Sequence, residues 1–534
     1  MPPEAHTSVN IGTSNHPRKV ATLLLLGAQG RNKLRFGNLA LTSTRMMGRR
    51  ATFLSDEKPR DVEGIPPKHD SLGPIPQQQL KQTSLFRATS QWILICLTMA
   101  PGYGLGFRRG SHTNDHLCPS GGHHTDLSFA FRDATEFTFS QLSQDGHHKG
   151  SDIKPVLVRG DVQVRLAEQS FGTNIRVELA LHGSDPKLTS SDWLGIVKTD
   201  TALTLKTPRW MPKEDSSASN EQSLCIYVSA TIWIAPGTVL ETLGIDAETL
   251  SVDFFPGLDY VIRKSTEISV YSATLSIKAN NAPEKLTINS RETVIDVSSG
   301  SVTGSYPLYD YLAIHTESGS IDVTIDPKAA LKDNVKPAVL RLTSNSGSVR
   351  ARTSTVSIPD REYRADVYTS SGSIDVSLLH GIRTSLRSIN GRITADLYPF
   401  GDNNTRTDIE SHCNSGSTDI TLHSSLSHPD APLKRLNAYY GSSSGSLRLR
   451  YPDQWEGTVD GTTLSGSVKL NWEGLKVIKD GKKGWLKRHI KAVKGDGEGK
   501  LVFTDTSGSV TLTGGTGAIV DSRESRSVVE VGKE

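Results

Sequence analysis

Cysteine is scarce in this chain, with four in 534 residues. That excludes a disulfide-framed scaffold and a Cys-rich zinc array. Aromatics stand at 6% and hydrophobic residues at 35%, low for a compact α/β enzyme but above the level of a wholly disordered chain. Charge of one sign is lacking as well: 60 Lys and Arg against 57 Asp and Glu leave +3. Without a global basic field, nucleic acid is not an expected partner. No amphipathic helical period is evident beyond residue 150, and no uncharged apolar run reaches the ~20 residues of an ordinary spanning helix. The length gives a prior of about two to four domains.

What charge there is lies unevenly. Residues 1–120 hold 15 Lys and Arg against 7 Asp and Glu, and no acidic residue falls between His6 and Ser55. An Arg-rich, acid-poor start reads as a disordered basic tail or an organelle presequence. The stretch 58–79, rich in Pro and Gln, reads as linker. Trp92 to Phe107 (WILICLTMAPGYGLGF) is uncharged for 16 residues between Arg87 and the pair Arg108–Arg109. It falls short of a full span, but small residues and Pro are tolerated in membrane helices and Trp92 and Tyr103 suit interfaces. It is the candidate signal anchor, with the N-terminus cytoplasmic. A buried apolar segment is the competing reading.

Beyond residue 150 the texture becomes that of strands. Asp161–Leu166 (DVQVRL) and Asn174–Leu181 (NIRVELAL) alternate apolar and polar with period two, as half-buried strands do. A Ser-Gly-Ser unit followed by an alternating strand then recurs at Gly300, Gly319, Gly347, Gly372, Gly416, Gly445, Gly466 and Gly508, with Asn390–Gly391 as a variant. The last gap, 466 to 508, reads as two units. After each glycine the inward positions are Ile321, Val323 and Ile325, then Ile374 and Val376, Leu447 and Leu449, and Val468, Leu470 and Trp472. Before it the apolar parity is opposite, as in Leu312 and Ile314. A tight turn with glycine at positive φ would make that one-residue flip. Both a solenoid corner and a two-residue hairpin satisfy it; the short repeat favours stacking.

The recurring SGSIDV, SGSVRA, SGSVKL and SGSVTL units, with YPDQWEGTVDGTTLSGSV at 451–468, resemble the "putative adhesin" family of β-strand-repeat proteins from bacteria and fungi. The resemblance covers roughly residues 240–517. It implies a β-solenoid and supplies no catalytic residues, because none are defined for that family.

Candidate chemistry is thin. The first outward position of each unit holds Thr303, Asp322, Arg350, Asp375, Asp419, Arg448, Lys469 and Thr511, a ladder of mixed charge if the units align. Such a face suits a polysaccharide or is simply solvated. Asp322, Asp375 and Asp419 are the carboxylates a glycan-cleaving enzyme would need, but Arg350 interrupts them. Ser443 sits in a G-x-S-x-G match followed by a strand rather than the helix a nucleophile elbow requires. His112, His116 and Cys118, with His123 and His124, have ligand-like spacing but no scaffold. Gly104-Leu105-Gly106 follows no strand and is no dinucleotide fingerprint. Cys225 and Cys413 read as free buried thiols. Asn403, in Asn403-Asn404-Thr405, is a candidate glycosylation acceptor.

These readings give an all-β, repetitive β-solenoid core with a largely disordered N-terminal region. The expected divisions are a basic, Pro-rich region at 1–91, the anchor at 92–107, a linker at 108–150, an N-terminal β region at 151–240, the repeat domain at 241–517 and a polar tail at 518–534. The expected role is non-enzymatic: an adhesin-like or scaffold module, surface- or membrane-associated, with no cofactor or metal, contacting cell-surface polysaccharide or protein. The alternatives are a carbohydrate-active β-helix enzyme and an intracellular structural protein. A cluster of carboxylates in one groove would mark the enzyme.

Overall fold

In the computed structural model the described chain belongs to one compact unit within 108–534. The structure describes residues 123–515 apart from 145–151, 169–171, 214–215, 217–222, 256, 272, 278–286, 331–336, 403 and 484–486. The expectations for the basic N-terminal region, the anchor at 92–107 and the tail therefore lie outside the described residues. Within them, the lone helical element is a 3-10 turn at Pro186–Thr189, capped by Asp185 Oδ1 accepting from the Lys187 backbone N–H at 3.0 Å. Everything else regular is strand, as the period-two pattern requires. The expected linker at 108–150 is not all linker: His123–Phe131 and Glu136–Gln144 are strands. No core boundary appears near 240 either, since one hydrophobic cluster runs from Phe131 to Leu512.

Among the described residues the strands form two sheets of 16 each, here sheet I and sheet II. Through the repeats the chain alternates between them. Tyr363–Thr369 lies in sheet II, Ile374–His380 in sheet I, Arg383–Ser388 in sheet II and Ile393–Pro399 in sheet I. Each strand pairs in parallel with the strand two along: Ile374 opposite Ile393, Arg364 opposite Arg383. This parallel pairing rules out the hairpin reading of the corner, because a hairpin would pair consecutive strands antiparallel. The inner faces of both sheets carry the apolar parity read from the sequence. Ile321, Val323, Ile374, Val376, Leu447 and Leu449 are all buried, whereas Val468 and Leu470 are only partly so. These last two lie on the terminal strand of sheet I, with no further strand to cover them.

The corner glycines are required for a different reason from the one expected. None of Gly300, Gly319, Gly347, Gly372, Gly391, Gly416, Gly445, Gly466 or Gly508 is among the residues with positive φ. They are instead packed backbone to backbone. A Cβ on Gly391 would stand 1.7 Å from the carbonyl oxygen of Gly372, and one on Gly319 only 1.6 Å from that of Gly300. From Gly319 onward, a small buried side chain three residues before the glycine accepts from the glycine N–H: Thr316 at 2.9 Å, Ser344 at 2.8 Å, Thr369 at 3.0 Å and Ser388 at 2.9 Å; before Gly300 the position holds the apolar Val297. The same hydroxyls donate to the glycine carbonyl of the rung before, as Thr369 does to Gly347 at 3.0 Å and Ser388 to Gly372 at 3.2 Å. At these four corners the buried hydroxyl, the glycine N–H and the preceding glycine carbonyl are thereby satisfied together.

The C-terminal end departs from simple succession. The final unit, Gly499–Asp505 and Val510–Gly514, lies between the rung Leu436–Ser442/Leu447–Tyr451 and the rung Gly457–Thr463/Val468–Asn471. The gap from 466 to 508 therefore holds no second stacked unit. Lys476–Lys483 and Lys487–Lys494 form an antiparallel hairpin that pairs along Gly457–Thr463. Space for the inserted rung comes from Gly461, where a Cβ would collide with the Phe503 ring at 1.9 Å. Trp455 and Trp472, 5.4 Å apart between centroids, close this end with Tyr451.

Three substitutions separate these contributions. Ile374→Ala removes a fully buried side chain and should cost about 2–5 kcal/mol. Ser388→Ala strands the Gly391 N–H and the Gly372 carbonyl and should cost about 1–3 kcal/mol. Gly391→Ala must displace backbone and should cost about 3 kcal/mol or more. Denaturant unfolding of the full chain reads all three; an unchanged midpoint for Gly391→Ala would refute the close-contact account.

Candidate binding surface

Stacking in register brings the expected ladder together on the outer face of sheet I. Thr303, Asp322, Arg350 and Asp375 are successive partners, followed by Thr394, Asp419, Arg448, Thr511 and Lys469. Thr394 was missed because its unit has Asn390–Gly391–Arg392 in place of Ser-Gly-Ser. Thr511 precedes Lys469 because the last rung is inserted. The charges neutralise one another. Arg350 bonds Asp322 at 3.0 Å and approaches Asp375 at 3.7 Å, while Asp419 takes Arg450 at 2.7 Å. Exposed pairs of this kind contribute about 0–1 kcal/mol each. Asp322, Asp375 and Asp419 are thus spread along the sheet with Arg350 and Thr394 between them, and form no carboxylate pair.

The outer face of sheet II carries a feature the sequence reading did not single out. Arg341, Asp366, Ser385, Glu410, Tyr439, Val502 and Asp460 share one row. Tyr439 is 38% exposed and lines two adjoining open grooves. One is walled by Arg387, Glu410, His412 and Gly441, the other by Arg406, Arg435, Glu498 and Lys500. The bare Gly441 matters here, since a Cβ on it would meet His412 Nδ1 at 2.5 Å. Glu410 is held by Arg387 at 2.6 Å and Arg383 at 3.2 Å, Glu498 by Arg435 at 3.2 Å, and Asp408 by Arg406 at 3.6 Å. Among the described residues Lys500 has no acidic partner. The surface around Tyr439 is therefore net positive. A signal was present in the sequence: in Leu436–Ser442 (LNAYYGS) Ala438 and Tyr440 are inward, so Tyr439 must point out.

The remaining candidates fall apart. Ser443 lies at a corner between two strands, its backbone N–H bonded to the Cys413 carbonyl at 3.3 Å, with no helix after it. His112, His116, Cys118, Asn403 and Gly104–Gly106 lie outside the described residues. Asp402 and Asn404, flanking Asn403, are exposed. Cys225 is disulfide-bonded, which corrects its reading as a free thiol. Cys413 is a buried free thiol as expected, and it occupies a hydroxyl position of the corner ladder, accepting from Gly416 N–H at 3.1 Å. Among the described residues no helix is long and apolar enough to cross a membrane.

One titrating group is buried under the strand that leads to this surface. His380 is 1% exposed, bonded through Nδ1 to Thr384 Oγ1 at 2.9 Å, with Nε2 unpartnered. Burial pulls its pKa down to about 4 from 6.5, against a small opposing pull from Asp408. The folded state thus refuses a proton that the unfolded chain binds between those two values, so stability is complete above about pH 6.5 and is lost as pH falls towards 4. The loss should approach about 3 kcal/mol. Denaturation midpoints from pH 7 to pH 4 should fall less steeply in His380→Gln; equal slopes would count against this assignment.

No family model matches the chain, and no curated protein does. Among solved structures it is similar to a "putative cell adhesion protein" from Clostridium sporogenes, 9% identical, over 73% of this chain and 100% of that one, with a TM-score of 0.14. It is also similar to a "putative adhesin" from Parabacteroides distasonis, 13% identical over 62% and 94%, with a TM-score of 0.21. A "putative lipid binding protein" from the same organism is 10% identical over 74% and 98%, again with a TM-score of 0.21. At these TM-scores the likeness carries no argument about this chain's role.

Proposed function

We propose that the repeat region is a two-sheet β-solenoid that works without catalysis, as an adhesin-like module whose sheet II face binds an anionic polysaccharide. The observation that carries this reading is Tyr439: an outward aromatic shared by two open grooves with a net positive rim. An exposed tyrosine presents a flat apolar face with a polar tip, and aromatic and arginine side chains are the usual anchors of recognition surfaces. Lys500 and the arginines attract a carboxylated or sulfated chain, and rungs at ~4.8 Å spacing offer it repeated contacts along the sheet. The groove's carboxylates are each engaged by arginine, which suits them to orient those guanidiniums rather than to pass protons. Placement outside the cytosol, tethered through 92–107, belongs to the same proposal. The disulfide at Cys225 is the kind of bond that persists in oxidising compartments.

The test is binding of the full chain to immobilised polygalacturonate, with a neutral glucan as control. Tyr439→Ala should weaken binding about tenfold or more, and Lys500→Glu should weaken it and flatten its salt dependence. Wild-type retention of Tyr439→Ala, or equal binding to the neutral glucan, would overturn the proposal. Bond cleavage with release of reducing ends would favour the enzymatic alternative instead.

A further inference from the structure

A second site lies at the other end of the described chain, on the outer face of sheet I, and owes nothing to the polysaccharide reading. His123–Phe131 is the edge strand of that sheet, paired antiparallel with Ile175–Gly183, and the register places His124 directly opposite His182. Directly opposed residues in an antiparallel pair hold their Cβ atoms about 5 Å apart, on one face. Here both rings turn the same nitrogen towards each other: Nδ1 of His124 and Nδ1 of His182 are 3.3 Å apart, with ring centroids 4.3 Å apart. The far nitrogen of His124, Nε2, lies 2.7 Å from Asp126 Oδ2.

That carboxylate decides the tautomer. An unprotonated Asp126 can only accept, so the His124 proton belongs on Nε2 and Nδ1 is left as a lone pair aimed at His182. Two arrangements then satisfy the gap: His182 donates its own Nδ1–H, or both lone pairs converge on a cation. The distance admits the second as well as the first. A tetrahedral ion with nitrogen ligands at 2.0–2.1 Å separates two of them by about 3.3–3.4 Å. A carboxylate behind a ligating imidazole is also the usual outer partner of such a ligand, fixing its ring and raising its basicity. Both histidines are exposed, which leaves room for water at the remaining coordination positions. Among the described residues no group of three His, Cys, Asp or Glu side chains is set to hold a metal, so the site has two protein ligands.

We infer that His124 and His182 form a cross-strand site for a borderline divalent cation of the zinc class, with Asp126 as the positioning residue. Imidazole nitrogens select Zn2+, Ni2+ or Cu2+ over the hard ions Mg2+ and Ca2+. Bound there, the ion links the edge strand to its neighbour alongside the backbone ladder and the Arg176 to Ser128 hydrogen bond.

Zinc chloride alone, titrated into the metal-stripped full chain, is the probe, read by calorimetry and by the melting temperature. One zinc per chain should bind at this site in the micromolar range and raise the melting temperature, EDTA should reverse the rise, and magnesium should do nothing. His182→Ala should abolish that binding. His182 is the decisive position because it is remote in sequence from the His112–His124 segment: zinc held by that segment alone would survive its loss and overturn the proposal. His182→Gln, which keeps a hydrogen-bonding side chain, should abolish binding equally while leaving the circular dichroism unchanged, so loss of fold is separable from loss of a ligand. Asp126→Asn should weaken binding about 10- to 100-fold without abolishing it. Wild-type affinity in either His182 variant, or no zinc binding by the wild-type chain, would refute the site.

Discussion

The contact on which the architecture depends is the approach of one corner glycine to the carbonyl of the last. Only a residue without a Cβ fits beneath that oxygen, so the glycine column is continuous from Gly300 through Gly445 and on to Gly508 and Gly466. The hydroxyl three residues earlier then bridges two rungs, taking the N–H of its own glycine and giving its proton to the one before. A strand that slipped by one residue would lose the glycine fit and leave buried polar atoms unpaired. The corner therefore sets the register for both strands that leave it, and the apolar interior follows from that alignment.

A stack of parallel strands has two open edges, each a template for further pairing. Among the described residues this chain reverses direction at three of the four sheet ends, sheet I ending on the parallel strand Val468–Asn471. At the N-terminal side Ile175–Gly183 and His123–Phe131 add antiparallel to sheet I, and Gly195–Lys198 adds antiparallel to Ala202–Pro208 in sheet II. At the C-terminal side the lysine-rich hairpin 476–494 covers sheet II. Charged edges and antiparallel caps are both ways of discouraging edge-to-edge association. Insertion of the last unit adds a further lock, because Gly499–Gly514 pairs on both sides and cannot leave without opening the rung beyond it.

The parity of the strands was legible in the sequence because burial on one face imposes period two whatever the pairing. Ile321, Ile374 and Leu447 could be assigned inward, and Asp322, Arg350 and Asp375 outward, before any topology was known. The reason for the glycines was not legible. Positive φ and close approach both demand glycine, and only the stacked neighbour distinguishes them. The insertion of the final rung was hidden as well. A spacing of 42 residues looks like two units unless the Gly461–Phe503 fit is known, and that fit joins residues 42 apart. The strands at 123–144 were legible by the same rule, since Leu127, Phe129 and Phe131, then Phe137 and Phe139, alternate with small or polar residues; only their remote partners, 175–183 and 239–247, were hidden. Tyr439 was readable from parity alone; its grooves were not, because their walls come from rungs that meet only in space.

Two members of the corner column show which half of its hydrogen bonding is essential. Cys413 replaces the hydroxyl with a thiol, a weak donor and weak acceptor, yet keeps both contacts: 3.1 Å to the Gly391 carbonyl and 3.1 Å to the Gly416 N–H. Asp505 keeps only one. Its Oδ2 accepts from the Gly508 N–H at 2.7 Å, while Oδ1 is buried without a partner. A carboxylate has no proton to give the Gly445 carbonyl, so the donation made by Thr369 or Ser388 is absent at this rung. Acceptance from the glycine N–H is thus common to Thr, Ser, Cys and Asp, and donation to the previous rung is the dispensable half. Burial raises the pKa of Asp505, against the lowering pull of the hydrogen bond it accepts from the Gly508 N–H. The chemistry of the corner therefore constrains what the side chain can accept more tightly than what it is, which is why the repeat is easy to see at its glycines and easy to miss three residues before them.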